Sequence, residues 1–343
     1  MGQLITDVID IPELVGYTRE ATAAEIDGLL ARLLPSIDVD DIEYELQNID
    51  VPTFEVARYR AWDTPPPLGK RAGFVTIKGE IIPLGLRMKL NEKEIVRFNK
   101  LRAQLPGGSL QDVYDDALQT ARACAWRIQR ARADLLNDGK VSITENGLVG
   151  IEADFGVPGA HIVTAATLWS DTAASTPVTN LKAWQATYRG NNAGRNPAAW
   201  LVSSDVIAEL GLNAQIRTLA PVTGVVPGII TQETVGQVLR AHGIAPLVVF
   251  DGEAPNPTTG LMERLLSARK VIGVPAANLG NVLSGVHPMA TNLMGRNILR
   301  QDQLPGIVTW VEEETTPASI TTVSEAVALP ILRDPKALFV ATV

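Results

Sequence analysis

The chain holds one cysteine, Cys124, and three histidines, His161, His242 and His287, in 343 residues. A single thiol excludes an intramolecular disulfide, and a reducing compartment is the natural reading. Three scattered histidines, none with a Cys or carboxylate at ligand spacing, leave little material for metal or acid–base chemistry near neutral pH. No apolar run approaches the roughly 20 residues of a membrane span. The first residues lack a basic stretch and carry Asp7 early, so no signal peptide is expected. The sequence contains no phosphate-binding loop, dinucleotide fingerprint, zinc-protease helix or nucleophile elbow. Ser267 and Lys270 match a Ser-x-x-Lys spacing without its partner motifs, and a solvated helix end explains them better. No catalytic residue, metal ligand or cofactor emerges.

What is present is core and uneven charge. Apolar residues make up 46% of the chain, enough to fold without staples, and the length fits two domains or one elaborated domain. The net charge is −8, which argues against a broad nucleic-acid-gripping surface. Residues 1–50 hold twelve acids and two bases, whereas residues 58–102 hold eleven bases and four acids. Adjacent blocks of opposite sign fit complementary surfaces within one chain or between copies, and equally two solvated faces.

Periodicity divides the chain into an arm, a loop, a spine and a mixed body. Residues 1–52 read as an acidic arm with one short helix from Thr22 to Leu34, where Thr22 and Glu25 form a capping box and Pro35 stops the helix. Residues 53–90 read as a long hairpin: Phe54 to Trp62 is rich in β-formers, and Ile82 to Leu90 alternates with a period of two. Between them Pro65, Pro66 and Pro67 stiffen a tip that carries Lys70 and Arg71. Residues 109–138 form the strongest helix, opened by Ser109 with Asp112 and stopped at Asn137-Asp138-Gly139. Leu110, Val113, Ala117, Ala121, Cys124, Ile128 and Leu135 lie on one stripe, with Cys124 as core. Val141 and Ile143, then Asn146-Gly147, then Val149 and Ile151 predict a hairpin. Helices are expected at Gln232–His242 and Leu261–Lys270, and strands at Pro246–Phe250, Lys270–Val274, Ile307–Val311 and Ala337–Val343. The fold class is α+β. The six tryptophans read as packing anchors.

This ordered set resembles the major capsid protein of tailed bacteriophages, in particular the lambda-type family known as major capsid protein E, with the Hong Kong 97 capsid fold. The segment Phe54-x-x-Ala57-x-x-Arg60-Ala61-Trp62-Asp63-Thr64-Pro65-Pro66-Pro67-Leu68-Gly69-Lys70-Arg71 resembles the family's extended loop, as does Gly79-Glu80-Ile81-Ile82-Pro83-Leu84. Ala131-x-x-Asp134-Leu135-Leu136-Asn137-Asp138-Gly139-Lys140-Val141-x-Ile143 resembles its spine-helix end and hairpin. Trp169-x-Asp171, Pro177-Val178-Thr179-Asn180-Leu181-x-x-Trp184 and Pro197-x-x-Trp200-Leu201-Val202-Ser203-Ser204 resemble the axial-domain entry. The likeness runs from about residue 14 to 343. Asn180 departs from an Asp that is frequent in the family.

The resemblance implies an N-terminal arm (1–52), an extended loop (53–90), a peripheral domain (91–176 and 305–343, with its spine helix at 109–138) and an axial domain (177–304). It implies a structural protein that self-assembles, as hexamers and pentamers, into an icosahedral head enclosing double-stranded DNA without sequence-specific binding. Portal, separate scaffolding and decoration proteins are the expected partners, with no membrane and no cofactor. Assembly is expected in the bacterial cytoplasm, and no large scaffolding domain is expected to be fused. Arg58, Arg60, Lys70, Arg71 and Lys78 are expected to lie over an acidic surface of an adjacent subunit. Asp38, Asp40, Asp41, Glu43 and Glu45 supply that surface. Some relatives join subunits by a Lys–Asn bond; Lys70 and Lys78 lie on the corresponding loop, with no partner Asn or assisting Glu identified. An encapsulin-like compartment shell keeps the fold and changes the role, a tail-tube protein is another structural reading, and a soluble α/β enzyme built on 177–304 is the rival from another class.

Overall fold

The computed structural model describes residues 10–49, 59, 74–104, 108–145, 150–220, 229–296, 298–299 and 305–343. The arm and ribbon region comprises α1 (Ile11–Ile26), α2 (Leu29–Leu33), β1 (Ser36–Asp38), β2 (Glu43–Ile49), β3 (Phe74–Glu80) and β4 (Pro83–Leu90). Next come α3 (Glu92–Gln104), α4 (Gly108–Asp138), β5 (Lys140–Ile143), β6 (Ile151–Asp154) and β7 (Ile162–Thr164). A helical stretch follows, with α5 (Pro177–Asn191), β8 (Ala199–Val202), α6 (Ser204–Leu212), α7 (Ala214–Leu219) and α8 (Gln232–Ala241). The chain ends in β9 (Leu247–Val249), β10 (Glu253–Pro255), β11 (Met262–Arg264), β12 (Lys270–Val274), β13 (Gly280–Gly285), α9 (Pro288–Gly295), β14 (Val308–Thr315), β15 (Ala318–Leu332) and β16 (Phe339–Thr342).

The stripe that predicts the spine becomes α4, a rod of 31 residues and about 46 Å. Ser109 lies inside it rather than capping it. Ala117, Ala121 and Ala125 are wholly buried on one face. Their small side chains let α1 and β15 approach the rod closely. Gly139 ends the helix at φ 71°, a left-handed stop that favours glycine, and its N–H reaches the Leu135 carbonyl at 2.9 Å.

Two larger sheets flank the rod. In the first, β15 is the central strand. β4 pairs with residues 320–327 along one edge, and β14 and β13 share the other. β1 adds a parallel strand outside β13. A Cβ on Gly280 would run into the Ile331 carbonyl oxygen, so β13 can approach β15 this closely only with glycine there. The second sheet has the order β7-β16-β12-β8-β9 and carries a core of Trp169, Trp184, Trp200, Tyr188 and Phe339. Sheet pairing thus places 162–164 and 339–342 beside 199–202 and 270–274, while 280–285 pairs with β15.

Three further sequence expectations change. The helix expected at Thr22–Leu34 is two helices. α1 begins at Ile11, Thr22 lies within it and bonds the Thr18 carbonyl at 2.8 Å, and Gly28 at φ 143° breaks the chain before α2. The helix expected at Leu261–Lys270 is instead β11 followed by a turn, because Met262–Arg264 pairs with β10. The alternating stretch ending at Leu90 is indeed a strand, but its partner is β15. The loop ribbon is built from β2 and β3, with Glu45 opposite Lys78 and Leu46 opposite Ile77. The expected strand at 54–62 lies, Tyr59 apart, outside the described residues.

Candidate assembly surfaces

The ribbon is amphipathic by strict alternation. Tyr44, Leu46 and Ile77 face the main core, whereas Glu43, Glu45, Lys78 and Glu80 face outward and are exposed. The Tyr44 ring lies against Gly79, where any Cβ would strike its phenol end at 2.5 Å. Glycine therefore lets the ribbon root sit flat. Lys78 Nζ meets Glu45 Oε2 of its own chain at 3.1 Å, with both side chains about half exposed or more (70% and 48%). Such a pair contributes about 0.2–1 kcal/mol.

The acidic candidates gather at the ribbon root. Asp38 ends β1, Asp40 and Asp41 form the exposed link to β2, and Glu43 starts β2. The Asp41 carboxylate accepts the Glu43 N–H at 3.2 Å, a local turn that β2 begins from. Asp40, Asp41 and Glu43 rim a hollow of about 380 Å³ floored by Ile37, Val39, Leu46, Leu283 and Ile331, with Arg333 at its edge. Arg58, Arg60, Lys70 and Arg71 lie outside the described residues.

A second charged surface lies on α3. Lys93, Arg97 and Lys100 are exposed and follow helical spacing, one turn apart. No salt bridge among the described residues involves them. The charge count covers these residues as part of a basic block, and their i, i+4, i+7 spacing is the signal that singles them out.

The groups with chemical potential are structural. Lys270 of the Ser-x-x-Lys match donates to the Asn137 carbonyl and to the Asp138 carboxylate, each at 2.7 Å, tying β12 to the end of the spine. Burial pushes the Cys124 thiol up to about 12, so it stays protonated, and it donates to the Ser324 carbonyl at 3.4 Å. Among the described residues no cluster of His, Cys, Asp and Glu is placed to hold a metal ion, and no helix is long and apolar enough to cross a membrane.

A long spine helix, a two-stranded ribbon and two sheets around one rod define a class of protein: the Hong Kong 97-type shell tile. Solved structures share this fold. A putative prophage capsid protein from E. coli CFT073 superposes with a TM-score of 0.62 at 14% identity, covering 98% of this chain and 99% of that one. A phage-related protein from Bordetella bronchiseptica RB50 gives 0.54 at 13%, over 96% of each chain. The capsid of Myoviridae phage XM1 gives 0.50 at 8%, over 92% and 90%. No curated protein matches the sequence. The sequence profile of the phage major capsid protein E family matches residues 37–343. The chain belongs to that family, and its role is structural: it forms a capsid shell.

Proposed function

We propose that the chain builds an icosahedral phage head from hexamers and pentamers of itself and encloses double-stranded DNA without sequence-specific contacts. The ribbon carries this reading. Among the described residues β2 and β3 pair only with each other, and a two-stranded hairpin is marginal in water unless it lies on something. Its root is seated on the core, and its outward face is left for another copy. The arm (1–52) and loop (53–90) are the reaching parts, and the peripheral (91–176, 305–343) and axial (177–304) segments are the body they reach across. The acidic ribbon root, Asp38, Asp40, Asp41, Glu43 and Glu45, meets a cationic surface of a neighbour. The extended loop offers one in Arg58, Arg60, Lys70 and Arg71, and α3 offers another; Lys78 is already engaged by Glu45. A net charge of −8 keeps the wall from gripping packaged DNA. Portal, separate scaffolding and decoration proteins are its further partners, and assembly takes place in the bacterial cytoplasm.

Sedimentation followed by negative-stain microscopy of the purified protein tests the reading. Closed shells of one or a few sizes are expected. Open tubes, or a monomer that persists at high concentration, would overturn it. Particles isolated from cells with an enzyme cargo and no DNA would move the role to a compartment shell.

A further inference from the structure

We propose that the exposed face of α3 in one copy docks into the acidic hollow at the ribbon root of the next copy. The α3 face consists of Lys93, Val96, Arg97 and Lys100, which share one side of the helix at i, i+3, i+4 and i+7. Val96 is 56% exposed, an apolar centre among three cations. Ile95, on the opposite side, packs with Leu14, Ala117, Val311 and Ile320 and fixes which face points out. The acids of the same helix are turned to their own chain. Glu92 accepts the Ala318 N–H at 3.2 Å and Glu94 the Asn91 N–H at 2.8 Å.

The hollow has the complementary design. Asp40, Asp41 and Glu43 form an exposed rim, and Val39, Leu46 and Leu283 form an apolar floor. Ile42, 57% exposed, stands beside the rim. Glu45 is engaged by Lys78 and Arg333 is a cation on the edge, so the rim acids are the groups left for a cationic visitor. A helix that presents an apolar residue flanked by charge fits a groove of this kind.

One chain cannot bring the two surfaces together. Ala318 and Ser319, at the start of β15, line the same hollow as Lys93 and Arg97. Ile331, at the end of β15, lines the acidic hollow. At about 3.3 Å per residue, the strand holds the two about 40 Å apart. A patch and its complement at opposite ends of a rigid strand make a head-to-tail contact, which generates a ring when the rotation closes. The occupant is therefore a second copy of this chain, and the contact specifies how the copies of the shell role proposed above join.

A charge-swap pair tests it. One variant carries Lys93→Glu, Arg97→Glu and Lys100→Glu; the other carries Asp40→Lys, Asp41→Lys and Glu43→Lys. All six positions are exposed, and unchanged thermal midpoints establish that both variants fold. Neutral versions, Lys93→Gln, Arg97→Gln and Lys100→Gln, serve if a reversal does not fold. Each variant alone is expected to associate at least tenfold more weakly than the unaltered chain in sedimentation velocity. Mixed one to one, the two should recover association, because the reversed helix meets the reversed hollow. Unaltered association of either variant, or no recovery on mixing, overturns the contact. Recovery of the Asp40, Asp41, Glu43 variant by Lys70→Glu with Arg71→Glu, and not by the α3 reversal, assigns the hollow to the loop tip and overturns it as well. Pairwise association is read separately from shell closure. Swapped pairs that associate without closing shells would count against the head-shell role and leave the contact standing.

Discussion

Both ring nitrogens of His161 are engaged inside the core beside Tyr188 and Phe339. Nδ1 lies 2.9 Å from the Leu338 carbonyl, which can only accept, so the proton sits on Nδ1. Nε2 then accepts from the Asn191 amide at 2.8 Å. The ring stacks on Tyr188 and lies tilted against Phe339. Burial holds its pKa below the ordinary value, against the opposing pull of the Leu338 carbonyl and Asp334. A depressed histidine pKa means that the fold prefers the neutral ring. Its contribution is present above about pH 6.5, the unfolded value, and is lost as the pH falls below it. His161→Gln should lower the thermal midpoint of unassembled subunits at about pH 7.5, through lost ring packing of about 2–3 kcal/mol. The gap to the unaltered protein should narrow at about pH 5.5. Two midpoint curves that run parallel across this range would remove His161 from the pH response.

At the scale of elements, α1 is fastened to the spine through its last carbonyls, which a helix end leaves unpaired. Gln129 donates to the Glu25 and Ile26 carbonyls at 2.8 and 2.5 Å. Arg132 donates to the Ile26 carbonyl and to Ser36 Oγ, both at 2.9 Å. No carboxylate pairs with this buried guanidinium in any salt bridge among the described residues. Burial pulls its pKa down to about 10, with Asp27 opposing. Further along, Thr18, Thr309, Ser324 and Thr120 form a buried chain of hydroxyls with links of 3.3, 2.9 and 2.7 Å. Arg132→Met should cost about 1–3 kcal/mol by removing the two hydrogen bonds that tie the spine to Ile26 and Ser36. Arg132→Lys should not restore it, because an ammonium lacks the fork that spans Ile26 and Ser36. Hydrogen exchange should speed up in α1 while the middle of α4 stays protected. Equal acceleration in both would show that the fastening is not local to the arm.

The same threonines explain why α1 is hidden in the sequence. Its buried face is Leu14, Val15, Thr18 and Thr22; half of it is polar, so the apolar period fades. Thr22 then reads as a cap although it is a mid-helix residue. The spine shows clearly because Ala117, Ala121, Cys124 and Ile128 keep the period. The alternation at 82–90 identifies a strand but not its partner, since β15 lies more than two hundred residues away. β15 itself is obscured by buried Ser319, Thr321, Thr322 and Ser324. The segregated charges were legible from counting. The Glu45–Lys78 register was not, because composition carries no information about which residues face each other across a ribbon.

For the whole molecule, two electrostatic effects oppose each other during assembly. A net charge of −8 makes copies repel, while the contact proposed above between the acidic root and a cationic surface would attract at close range. Distance decides between them. The spine alone spans about 46 Å, so the charge centres of neighbouring copies stand tens of ångströms apart. That is several times the roughly 8 Å Debye length at physiological salt, and the repulsion is already largely screened. Ion pairs at a contact, about 3–4 Å apart, lie inside that length and still attract, each by about 0.2–1 kcal/mol when exposed. Raising salt to about 0.5 M shortens the screening length to about 4 Å and weakens these pairs first. The lowest protein concentration at which shells form should therefore rise several-fold between about 0.05 and 0.5 M sodium chloride, as read by light scattering and checked by microscopy. The α3 reversal should flatten the rise, since its contact no longer holds attractive pairs to screen. A threshold that instead falls as salt is added would mean that net repulsion governs assembly, and charge complementarity between copies would then lose its part in joining them.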